Sequence, residues 1–285
     1  VNTNSFTAVP GAMPGGGDLG EGDGDEGFNI NININSGGGW SQLSVVAAWL
    51  VVKEACALLA ALVEIALQEG LDAAGGRDAL LDPADIERIG DTLLSALGRL
   101  KHMGAIAEAA EGLEGVCRAL LAPRTSPLPA PLTSLPPRWL DALLQRLRGG
   151  GPVFVLRRSA GFAYSFLSIL RGEGVGGAAA GTSSVGAAGT SAEAAGTRKL
   201  VLLPRALHSL LDIAERGVSE GTREAEGPEE AGEGLALWSL SIHALNVLRI
   251  ITLDSALAAG LGVFLSRAIQ VAGRGLASAR WGVRN

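Results

Sequence analysis

The chain has 285 residues, 47% of them hydrophobic, enough for a sizeable core. Only 18% are charged and the formal net charge is −6. Cys56 and Cys117 lie far apart with no CxxC and no Cys/His cluster, which argues against a structural zinc site and fits two buried thiols in a reducing compartment.

The charge is segregated along the chain. Residues 1–38 hold five acids and no Lys or Arg, and residues 217–234 hold six acids and Arg223. The remainder is therefore −6 + 5 + 5 = +4. Residues 124–171 carry seven Arg and one acid, and residues 235–285 carry five Arg and one acid. Clustered Arg on an ordered face suits an anionic partner such as RNA; ordinary solvated helix faces give the same pattern.

Residues 1–38 are rich in Gly, Asp and Asn, include the run NINININ at 29–35, and are expected to be disordered. The segment lacks a basic start followed by an apolar run, so no signal peptide is visible, and the absent Met suggests a piece of a longer protein. A helical domain is expected over 39–285. Its first helix, about 41–69, is apolar enough to resemble a membrane span. Lys53 and Glu54 sit near its middle, where each would cost roughly 2–3 kcal/mol in lipid. A helix covered on several sides by others is the expected reading, with no stable membrane insertion.

The second helix is predicted over about 83–100, with Asp82 as N-cap and Pro83 at the first helical position. A third spans about 104–121. Residues 123–137 hold six prolines and are expected to be extended or turn-like. Further helices follow at about 137–148, 153–170, 199–216, 235–252 and 255–279. Residues 172–196, rich in Gly and Ala, and the acidic stretch 217–234 are expected to be disordered insertions. Successive helices without strict sequence repeats predict an all-α fold, an irregular HEAT/armadillo-like α-solenoid joined antiparallel.

No constellation supports catalysis. His102, His208 and His243 lack a nucleophile or carboxylate at triad-like helical spacing. Residues 172–177, GEGVGG, match a dinucleotide-binding loop but follow a helix, not a strand, so no cofactor and no metal is expected. Two features read either as a binding surface or as internal packing, salt bridges to a neighbouring helix for the first and an interhelical hydrogen-bond network for the second. Arg157 and Arg158 open an apolar helix beside Ser159, Ala160 and Gly161, and a glycine there suits close approach by a neighbouring backbone. His243, Asn246 and Arg249 recur at i+3 on one broad face of another helix.

At these residues the sequence resembles the thyroid adenoma-associated protein (THADA) family, whose yeast members are tRNA 2′-O-methyltransferase regulators. The family pattern RRSAGLP is similar to residues 157–161, followed here by Phe162 and Ala163, and HALNILR is similar to residues 243–249. Further matches fall in order: Trp49 with Val52, Lys53 and Glu54; Leu100, Lys101 and His102 with Gly104; Trp139 and Leu140 with Leu143 and Leu144; Trp281 with Val283, Arg284 and Asn285. The resemblance spans about 43–285. Departures are Phe162-Ala163 for Leu-Pro, Met103 for an Arg, and IITLD after residue 249.

The resemblance implies a non-catalytic, cytoplasmic scaffold subunit. Its partners would be tRNA and an FtsJ-like methyltransferase acting on the ribose 2′-hydroxyl of position 32 in the anticodon loop. S-adenosylmethionine would belong to the methyltransferase. Residues implied to meet tRNA or partner are Arg157, Arg158, Ser159, Gly161, Lys101, His102, His243, Asn246, Arg249 and Arg284. Animal members also suggest a protein-only scaffold linked to calcium-pump or membrane-associated regulation.

Overall fold

A computed structural model of the chain describes residues 39–68, 80–124, 127–148, 160–174, 200–223, 234–278 and 281–284. Ten helices, and no strand among the described residues, make the fold all-α: α1 (Gly39–Gln68), α2 (Pro83–Arg99), α3 (Met103–Leu121), α4 (Ala130–Thr133), α5 (Leu135–Arg148), α6 (Ala160–Gly174), α7 (Leu202–Arg223), α8 (Gly234–Thr252), α9 (Ala258–Leu276) and α10 (Trp281–Arg284). The chain divides into two compact units, 1–44 and 45–285. Only 39–44 of the first is described, so the architecture below is that of the second.

α2 starts where its sequence requires. The Asp82 carboxylate accepts from the Asp85 amide at 2.7 Å, the Asp85 carboxylate accepts from the Asp82 amide at 3.3 Å, and Pro83 occupies the first turn. The box satisfies amides that have no partner within the helix. Ile86, Ile89, Leu93 and Leu97 then bury one stripe. α6 is buried almost all round, from Gly161 through Glu173 apart from Tyr164 and Arg171, which explains its lack of a polar face.

Side-chain pairs fix the helix directions. Glu87 with Arg138, Asp91 with Trp139, and Gly98 beside Arg146 advance together along α2 and α5. Asp141 with Arg205 and Arg148 with Ser209 do so along α5 and α7, and Leu203 by Gly260, His208 against Phe264, and Asp212 with Arg267 along α7 and α9. α2, α5, α7 and α9 are therefore one layer of parallel helices. α3, α6 and α8 form the other: Gly172 lies against Cys117, and Arg171 reaches Glu114 on α3 and Asp254 just past the end of α8. Each helix runs antiparallel to the next long one, while neighbours within a layer run parallel, an order compatible with the expected irregular α-solenoid.

Three boundaries differ from the sequence reading. The proline-rich stretch is partly helical, because Pro131, Pro136 and Pro137 fall in the first turns of α4 and α5, where a missing N–H costs nothing. Residues 172–174 belong to α6, with Gly172 and Glu173 buried, and 217–223 belong to α7, with Gly217 and Val218 buried. The expected disordered segments 1–38, 175–196 and 224–233 lie outside the described residues.

The largest correction concerns α1. It buries only the line Cys56, Ala60, Val63, Ala66 and Leu67, while Val45, Val51, Leu58 and Ile65 are exposed. It is not covered on several sides. Lys53 is instead neutralised by Glu108 on α3 at 3.5 Å. Leu43–Gln68 is the one helix among the described residues long and apolar enough to cross a membrane, by length and composition.

Candidate functional site

The sequence-predicted residues fall into three places. Arg157, Arg158 and Ser159 lie outside the described residues, but Gly161 is well placed on the first turn of α6. A Cβ at Gly161 would lie far inside van der Waals contact with the Leu97 carbonyl oxygen, and would also crowd its carbon. The glycine is thus a backbone-to-backbone contact between α6 and the C-terminal end of α2, as the sequence suggested. Leu97 in turn stands four residues before Lys101, so the Gly161 and Lys101–His102 motifs are brought together.

Lys101 and His102 form the turn from α2 to α3, and both are exposed. His102 occupies the N-cap of α3 without a side-chain cap bond. Its ring stacks on Trp49 of α1, centroids 4.9 Å apart and planes at 18°. Gly104 leaves room for this pair: a Cβ there would come within 3.2 Å of the His102 ring.

The α8 stripe is not one surface. His243 is buried, Asn246 half-buried and Arg249 exposed, so the i+3 spacing runs from the core outward and does not line a groove. Ser241, two residues before His243, donates to the Ala214 carbonyl of α7 at 3.1 Å. Arg249 lies near the C-terminal end of α8, whereas the Gly161 cluster is at the N-terminal end of the parallel helix α6. Arg284 donates to the Ser278 carbonyl at 3.1 Å and ties α10 to the end of α9.

Two ionic devices tie the helices together, the first within the layer of α3, α6 and α8 and the second between the layers. Arg171 donates through Nε to Asp254 at 2.9 Å and through a second nitrogen to the same carboxylate, and also reaches Glu114 at 3.5 Å. The Asp254 hydrogen bond raises the Arg171 pKa above its ordinary value. The Glu173 carboxylate, 5% exposed, accepts from the amides of Val201, Leu202 and Leu203 at 2.7–3.0 Å. It caps the N-terminus of α7. Neither thiol is poised as a nucleophile: burial, with a smaller contribution from Glu114, pushes Cys117 well up, and burial, with Glu108, raises Cys56.

Sequence reasoning missed Arg99, Arg146 and Arg148 as companions of Lys101. A signal existed. Residues 92–107 and 142–172 contain no acid, and the fold sets Gly98 beside Arg146 and Leu97 against Gly161.

A family model described as THADA/TRM732, DUF2428 matches residues 24–282. The chain belongs to the THADA family. The match reaches further toward the N-terminus than the resemblance beginning near residue 43. The chain is similar to proteins named tRNA (32-2′-O)-methyltransferase regulator THADA. The Drosophila melanogaster protein is 29% identical over 256 residues, covering 86% of this chain and 12% of its own length. The Chlorocebus aethiops protein is 25% identical over 249 residues, and the Homo sapiens protein 24% over 249, each covering 86% of this chain and 10% of its own length. The chain thus spans about a tenth of the THADA relatives it matches. No solved structure matches it.

Proposed function

We propose that this THADA-family chain is part of a non-catalytic, cytoplasmic scaffold that assists an FtsJ-like methyltransferase in methylating the ribose 2′-hydroxyl at position 32 of the tRNA anticodon loop. The observation that carries the reading is the family match across residues 24–282, together with the regulator name borne by the relatives. The methyltransferase supplies S-adenosylmethionine and the chemistry. The helical array supplies grip and positioning, which need a rigid surface and no reactive group.

The test is co-purification with an FtsJ-like subunit, then a ribose-methylation assay on tRNA with and without this chain. Methylation that rises when the chain is added is the expected result. Methylation by the chain alone, or saturable S-adenosylmethionine binding to it, overturns the non-catalytic reading. The uncovered apolar side of α1 favours a second reading, a protein-only scaffold at a membrane. Salt separates the two, because phosphate contacts give affinity a steep dependence on ionic strength.

A further inference from the structure

Several cations among the described residues pair with acids. Arg88 pairs with Asp85, Arg138 with Glu87, Arg205 with Asp141, Arg171 with Asp254, and Arg267 with Asp212 and Glu215. One face gathers cations from stretches of sequence that carry no acid of their own. The stretches 92–107 and 142–172 hold no Asp or Glu, and their described parts meet where α2 and α5 end and α6 begins. A guanidinium nitrogen of Arg146 lies 3.7 Å from where a Cβ of Gly98 would stand, and the guanidinium sits 5.8 Å from the centroid of the Phe162 ring on α6. Arg99 and Lys101 follow Gly98 within three residues and are exposed. Arg148 is exposed one half-turn beyond Arg146 and donates to Ser209 of α7 at 3.1 Å. Next to Lys101 stands the stacked pair of His102 and Trp49.

We infer that this face is an RNA-binding surface, with Arg99, Lys101, Arg146 and Arg148 carrying backbone phosphates and the exposed His102 ring, backed by Trp49, offering a platform for a base. The inference rests on the tRNA reading above and deepens it by naming where the RNA lies. Cations strung along a ridge neutralise successive phosphates, and a flat ring beside them takes a base without regard to its identity. An acidic protein segment would use the cations but has no use for the ring stack. The arrangement has a purely structural rival: Arg99, Arg146 and Arg148 stand in the last turns of α2 and α5, where cations offset the helix dipole. That rival affects stability and not binding.

The experiment measures binding of the full 285-residue chain to an unmodified tRNA transcript over a range of salt, alongside melting temperature. Three forms are compared: wild type, the triple variant Arg99→Ala/Lys101→Ala/Arg148→Ala, and a charge-matched control, Arg88→Ala/Arg216→Ala/Arg274→Ala, drawn from exposed cations elsewhere. The triple variant is expected to bind at least about tenfold more weakly and to lose about two units of slope in log affinity against log salt, at ~0.7–0.9 per phosphate contact. The control is expected to keep both. His102→Ala is expected to weaken binding with the slope unchanged. A triple variant that keeps its melting temperature and binds like wild type overturns this surface while leaving the tRNA reading intact. A control that loses as much as the triple variant shows diffuse attraction and also overturns it. Competition by polyglutamate as effective as by tRNA, with His102→Ala neutral, assigns the face to an acidic protein and overturns it. A wild-type chain that does not bind tRNA overturns both.

Discussion

At the scale of single residues, glycine and glutamate set the fit between helices, and only one of them could be read in advance. Gly161 follows a small-residue run, Ser159 and Ala160, that announces close approach by another backbone, and Leu97 supplies it. Gly161→Ala forces α6 away from α2, since the clash is with backbone and cannot be relieved by a rotamer change. The expected cost is toward the upper end of the ~1–3 kcal/mol typical of overpacking, read as a fall in midpoint on denaturant unfolding. Glu173 was illegible because its partners, Val201 to Leu203, follow 28 to 30 residues later, across a Gly/Ala-rich segment that gives no hint of contact. Its burial leaves the α7 amides with no other described acceptor. Glu173→Ala is expected to cost about 1–2 kcal/mol, as loss of a strong N-cap does, and Glu173→Gln less, because one acceptor oxygen survives. Equal losses for Ala and Gln would show that the charge, not the acceptor geometry, is what matters.

At the scale of elements, helix existence was legible from periodicity, and the errors fell where a local rule had two outcomes. Proline in a first turn and proline in an extended run look alike in sequence; α4 and α5 take the first option. An apolar helix with two charges reads as buried or as a span; α1 packs one line of residues against the core and leaves Val45, Val51, Leu58 and Ile65 exposed. The α7–α9 contact was invisible because its residues lie 52 and 55 apart: Arg267 donates to Glu215 at 3.0 and 2.8 Å and pairs with Asp212. The Arg267 hydrogen bond, above all, holds the Glu215 carboxyl below its ordinary 4.5. A depressed folded-state pKa stabilises fully above the unfolded value and is lost as pH falls through the folded one. The wild-type melting temperature is therefore expected to drop as pH is lowered below about 4.5, in part through this pair. Arg267→Ala is expected to start lower at neutral pH and to show a shallower acid drop. Parallel acid profiles for the two proteins would remove Glu215 from the account.

At the scale of the whole molecule, the two-layer order follows from the helix sequence, but which faces stay open does not. Each helix of such an array can cover only its neighbours. α3 and α6 sit within the array and are largely buried, whereas α1 and α9, the first and last long helices, are covered on one side. The uncovered sides share a spacing. On α1, Val51, Leu58 and Ile65 recur every seven residues with Ala47 and Ala61 between the turns. On α9, Gly262, Ile269 and Leu276 do the same with Leu265 and Ala272. Alternating steps of four and three are the seam along which a second helix seats its side chains; the α9 set is complete, and the α1 set is interrupted once, by the exposed Glu54 between Val51 and Leu58. A Cβ at Gly262 or Gly273 meets nothing within 4 Å, so neither glycine is required by packing inside the chain. Exposed apolar surface of this kind drives association in water. The 285-residue chain is therefore expected to self-associate, with a sedimentation coefficient that rises with concentration. Leu58→Glu together with Ile269→Glu places a charge at the centre of each seam, at positions 61% and 62% exposed, where the fold has little at stake. This variant is expected to sediment as a monomer at every concentration, with wild-type helix content and melting temperature. A wild-type chain that stays monomeric throughout would show that the bare seams do not pair with one another. A double variant that still associates would place the contact on some other face.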